Sequence, residues 1–75
     1  MDLTKMCETL KRKGVIFIEE DYEEVAVRLQ AGKDATLAFI KRKGRKEART
    51  ITSNKMVFDA IIYGKEISKE EYDNY

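Results

Sequence analysis

The sequence contains no histidine and no proline, one cysteine and four glycines among 75 residues. Without histidine, the commonest acid–base group and the commonest metal ligand are missing. The lone Cys7 excludes an intramolecular disulfide framework and fits a reducing cytosol. It falls on an apolar helical stripe, where a free cysteine behaves as a small buried hydrophobe. None of the glycines sits in a phosphate-cradling pattern. The acidic run Glu19-Glu20-Asp21-Tyr22-Glu23-Glu24 does not match the spacing of a dedicated calcium loop and reads as a solvated face. These absences predict a non-enzymatic chain with no cofactor and no metal site.

No stretch approaches the roughly 18 apolar residues of a membrane span, and Met1-Asp2-Leu3-Thr4-Lys5 lacks a hydrophobic signal region. The expectation is a cytoplasmic protein that does not engage a membrane. No linker, repeat or low-complexity run divides the chain, so residues 1–75 read as one domain. A chain this short buries only about 60% of the surface it exposes when unfolded, which leaves little interior for an enzyme-sized pocket. The composition is 43% hydrophobic and 39% charged, with a net charge of +1. The apolar residues recur with clear periods, which argues for folding over disorder.

Residues 2–12 predict an amphipathic helix. Asp2 is placed to cap it, Leu3, Met6, Cys7 and Leu10 share one face, and Gly14 supplies the stop after Lys11, Arg12 and Lys13. Val15-Ile16-Phe17-Ile18 reads as a buried strand. Residues 21–31 fit either a helix capped by Asp21 or a strand in which Val25, Val27 and Leu29 alternate with polar or small neighbours, and the strand is favoured. Turns at Gly32-Lys33 and Gly44-Arg45 then join strands over 35–42 and 46–52, with Arg42 opposite Glu47. In this register Val25, Val27, Leu29, Ala38, Ile40 and Ile51 share one face. Leu37 and Phe39 lie on the other, among Arg28, Lys41, Lys43, Lys46 and Thr50. Ser53 or Asn54 caps a helix striped by Met56, Val57, Ala60 and Ile61 and stopped at Gly64. Ser68 and Glu71 form a capping box, flanked by the Ile67–Tyr72 pair of a hydrophobic staple. The predicted fold is α+β: an N-terminal helix, a three- or four-stranded antiparallel meander, and two C-terminal helices on one sheet face. Leu3, Met6, Leu10, Phe17, Val25, Val27, Leu29, Ile40, Ile51, Val57 and Ile61 are its expected core.

The stretch Lys41 to Arg49 places six cations around Gly44, at what should be a hairpin tip. With the acidic run as the opposite pole, it predicts a domain with one positive and one negative end. Lys41, Arg42, Lys43, Arg45, Lys46 and Arg49 are candidate phosphate contacts, and Phe39 beside Arg28 is a candidate platform for an unpaired base. The plain alternative is that these charges only guard an exposed edge, with Leu37 and Phe39 under a helix. The order helix–strands–helix is also that of a double-stranded RNA-binding domain, whose basic cluster opens the final helix. Here that helix opens Asn54-Lys55-Met56-Val57 with one cation, which argues against that family. The preferred expectation is a binding protein for nucleic acid or a nucleoprotein complex. The alternative is a protein inhibitor or adaptor, similar in size and layout to phage or mobile-element effectors that block a host nucleoprotein. A polar domain of this kind also suits docking to a protein partner or to itself as a homo-oligomer.

Overall fold

A computed structural model describes residues 2–75. Its element order is α1 (Leu3–Lys13), β1 (Val15–Glu20), β2 (Val25–Ala31), β3 (Thr36–Arg42), β4 (Ala48–Thr50), α2 (Lys55–Tyr63), β5 (Lys65–Ile67) and α3 (Lys69–Asp73). The strands form one sheet in the order β4-β3-β2-β1-β5, with every pairing antiparallel. The α+β layout read from the sequence is the observed one, with β5 as an added edge strand.

Caps set the helix limits. The Asp2 carboxylate accepts from the Lys5 N–H at 2.7 Å, and Gly14 closes α1 at φ 79°, a left-handed conformation that suits glycine. The Asn54 side chain accepts from the Met56 N–H at 2.8 Å. At α3 both halves of the capping box are made: the Glu71 N–H donates to Ser68 Oγ, and the Ser68 N–H donates to Glu71 Oε1, each at 3.1 Å.

The sheet separates two apolar layers. Ile16, Ile18, Val27, Leu29 and Ala38 pack against Met6 of α1 and Val57, Ala60 and Ile61 of α2, with Leu10 and Ile40 at the margin. On the other face, Ala26 and Ile67 pack with Tyr72, Phe17 and Tyr75. The two C-terminal helices therefore lie on opposite faces, not together as expected. α2 joins α1, while α3 covers the strip over β1 and β5, and the staple pair, Ile67 at the end of β5 and Tyr72 on α3, meets in the second layer.

Two hairpins depart from the expected register, with different consequences. Ala31 pairs with Thr36, so the first connection has four residues, not two, closed by the Gly32 N–H on the Ala35 carbonyl at 3.0 Å. That shifts pairing by two positions and leaves every side chain on its expected face. The second hairpin slips by one, with Ile40 opposite Ala48 and Ala38 opposite Thr50. A one-residue slip exchanges faces, so Thr50 turns to the α2 side and Ile51 leaves the core, 67% exposed. The stripe of α1 is also rotated. Met6 and Thr9 are buried, whereas Leu3 and Cys7 are exposed, because α1 presents its 6–9–10 edge to the sheet. Cys7 is thus a surface thiol rather than a core residue.

Candidate functional site

Strand direction places the turn after β1 and the turn after β3 at the same end of the sheet, with Val25 paired to Glu20 on one side and to Arg42 on the other. The acidic and basic runs are therefore neighbours. Glu23, Glu24, Arg42, Lys43, Arg45 and Lys46 line one shallow depression. The expected two-ended polarity is not what the fold builds, since an antiparallel meander returns alternate turns to one side.

The acidic turn is in part structural. Glu20 is buried, and its carboxylate accepts from the Tyr22 and Glu23 N–H groups at 2.9 and 2.7 Å. Glu24 takes a left-handed φ of 55° to close the turn, and Tyr22 projects into solvent. Hydrogen bonding with the Asp21 carboxyl, then partial burial, holds the Glu19 carboxyl above its usual range, against the pull of Lys65 and Lys43.

The basic hairpin is organised around Glu47, which leaves the ladder and reaches under the outer face. Arg28 grips it in a fork, Nε to Oε1 at 2.7 Å and Nη2 to Oε2 at 3.1 Å. The Tyr72 hydroxyl donates to the same carboxylate at 2.6 Å. This is the physical reason for the register slip: a half-buried, charge-assisted cluster replaces the exposed Arg42–Glu47 pair that the sequence suggests. Arg28 holds the Glu47 carboxyl below its usual range, with the Tyr72 hydroxyl adding to the effect and burial opposing it. Burial, and then donation to Glu47, push the Tyr72 phenol well above its ordinary value.

The proposed contact residues fall into two groups. Arg28 also donates to the Gln30 side chain and lies over the Phe39 ring, 3.9 Å from its centroid, so the half-buried Phe39 already has a cation on that face. Lys41 Nζ donates to the Tyr72 and Asp73 carbonyls at 2.9 and 2.8 Å, closing the C-terminal end of α3. Arg42 reaches Met56 Sδ at 3.3 Å, and Lys43 lies 5.6 Å from the Tyr75 ring centre. The tip is tied down by the Gly44 N–H on the Tyr75 carbonyl at 3.0 Å, with Gly44 at φ 70°. In the second group, Arg45, Lys46 and Arg49 are exposed, and none of their side chains makes a hydrogen bond or ion pair among the described residues.

Because α3 has only five residues, it leaves much of the outer face open. A groove of about 920 Å³ runs there between α3 and the 45–47 loop. Val15 and Phe17 form its apolar floor beside Arg28 and Gln30, and Lys13, Lys41, Arg45, Lys46 and Lys69 stand around it. Sequence reasoning missed this groove, along with Lys13, Glu47, Lys69 and Tyr72 as its members. The strongest available signal was the staple pair, which places Tyr72 on a sheet face. No helix among the described residues is long and apolar enough to cross a membrane.

A family model described as "Tis1 immunity protein" matches residues 1–74, and the chain belongs to that family. No curated protein and no solved structure matches it. Neither the match nor the fold points to nucleic acid or to a phage effector.

Proposed function

We infer that this chain is a non-enzymatic immunity protein that protects its producer by binding and blocking a toxin protein. The family match over residues 1–74 carries the reading. The geometry supports it through what the hairpin does with its charge. The arginine and the ring that suggested base stacking are engaged with each other, and the arginine is also bonded to Glu47. Lys41 holds α3, and of the hairpin's six cations only Arg45, Lys46 and Arg49 have no side-chain partner among the described residues. Inhibition by occlusion needs a rigid, charged surface and no catalytic group.

Growth of a sensitive strain producing the toxin tests the reading. Co-expression of the chain should restore growth, and the two proteins should co-elute as a stable complex. Loss of viability despite normal levels of the chain refutes it. Salt-steep binding to oligonucleotides at about 50 mM salt, without rescue, would instead restore the nucleic-acid reading.

A further inference from the structure

The groove on the outer face has a composition that its surroundings do not explain. Six cationic side chains line it against two carboxylates, Glu47 and Asp73, in a chain whose net charge is only +1. Those two are already matched within the molecule, Glu47 by Arg28 and Asp73 by Lys69 at 2.7 Å. Lys13 has a loose partner in Glu66 at 3.7 Å, on the side away from β2. Arg45 and Lys46 have none among the described residues and stand on the loop that Glu47 draws over the face. The result is uncompensated positive charge around an apolar floor of Val15 and half-buried Phe17.

The walls are held in place. Glu47 ties the 45–47 loop to both Arg28 and Tyr72, and Lys41 ties β3 to the end of α3. Both walls are therefore fixed before any partner arrives, which lowers the ordering cost of binding. Walls in which cations outnumber carboxylates also concentrate a positive field in the groove.

We propose that this groove is the seat for an acidic segment of the partner protein, whose carboxylates meet Arg45 and Lys46 while an apolar side chain rests on Phe17. The assignment rests on the inhibitor reading above. An exposed loop or strand carrying Glu or Asp beside one apolar residue has the matching chemistry. Arg49 lies outside the groove, on β4, and takes no part.

The isolated chain, isotopically labelled, is titrated with a capped peptide of alternating Glu and Leu, with its Lys–Leu counterpart and with oligothymidylate. The acidic peptide should move the amide signals of Phe17, Arg28, Gln30 and Lys69, and the basic peptide should not. The paired substitution Arg45→Glu with Lys46→Glu should weaken the acidic peptide by about tenfold or more, and the Gln pair by less. Arg49→Glu should leave binding unchanged. These side chains have no partners among the described residues, so the variants should melt with the parent. Shifts confined to other surfaces, equal affinity in the Glu pair, or tighter seating of oligothymidylate than of the peptide would each overturn the proposal. Growth protection separates the two levels. Protection by the parent and equally by the Glu pair overturns the groove alone, whereas a parent that fails to protect overturns the inhibitor reading and the groove assignment with it.

Discussion

Replacing Glu47 by glutamine removes one charge and almost no volume from the cluster that folds the hairpin onto the outer face. The amide oxygen still accepts from the Tyr72 hydroxyl and from one arm of Arg28. The loss is therefore the ionic part of the bonds at 2.7 and 2.6 Å together with the whole of the Arg28 Nη2 bond at 3.1 Å, which an amide NH2 does not accept. The Arg28 and Glu47 side chains are 22% and 30% exposed. That places the pair between an open surface ion pair, worth about 0–1 kcal/mol, and a hydrogen bond to a sheltered charge, worth about 1.5–3 kcal/mol. A loss of about 1–2 kcal/mol is expected near pH 7, and at about 4–8 °C per kcal/mol this lowers the melting temperature by roughly 5–15 °C. The pH dependence is the sharper test. Glu47 has a depressed native value, so its contribution is present above the unfolded carboxyl value of about 4.3 and disappears as pH falls through the native one. Thermal melts of parent and variant should therefore diverge near neutrality and converge in acid. A gap that persists unchanged to about pH 2 would mean the variant loses packing, not charge. No gap at neutrality would mean that solvent screens the cluster.

Two further substitutions test the frame around the groove. Ser68→Ala removes the cap that the Glu71 N–H uses and should cost about 0.5–2 kcal/mol, read as faster amide exchange at Glu71 and Tyr72. Gly64→Ala places a Cβ 2.5 Å from the Ala60 carbonyl oxygen and 2.7 Å from both the Glu19 carbonyl oxygen and Ile18 Cγ2. Its φ of −81° suits any residue, so crowding alone should destabilise the fold by about 1–3 kcal/mol in a urea melt.

Local signals were legible where one residue decides the outcome. Asp2, Gly14 and the Ser68–Glu71 box each set a boundary within the backbone's own reach and are used as read, and of the two caps offered for α2, Ser53 and Asn54, it is Asn54 that serves. Face assignment on β2 and β3 survived an incorrect turn length because the error was an even number of residues. Ile51 and Thr50 did not survive the odd slip of the next hairpin, and nothing local marks that slip. Its cause is Glu47, which meets Arg28 and Tyr72 at separations of 19 and 25 residues. The rotation of α1 has the same character. Leu3, Met6, Cys7 and Leu10 define a stripe, but only the packing of α1 against β1, β2 and α2 decides which edge of it is covered. The fifth strand has only three residues, with two charged side chains ahead of Ile67, too short a pattern to read as a strand without its partner β1.

The same long-range closure changes what the charge runs mean. In sequence, 41–49 looks like a uniform positive field, and such a field would favour a uniform polyanion. In the fold, the run lies beside the 20–24 turn, where Glu23 and Glu24 share a depression with Arg42, Lys43, Arg45 and Lys46. A phosphate backbone laid across the 20–24 side of this end would also face the Glu23 and Glu24 carboxylates, and their repulsion offsets part of the attraction. A protein surface carries both signs in a fixed pattern and can answer each. Mixed charge of this kind adds little raw affinity, but it rejects partners whose pattern differs, because like charges brought together cost several kcal/mol. On the inhibitor reading inferred above, the adjacency of these two turns offers a physical means of telling one protein partner from another.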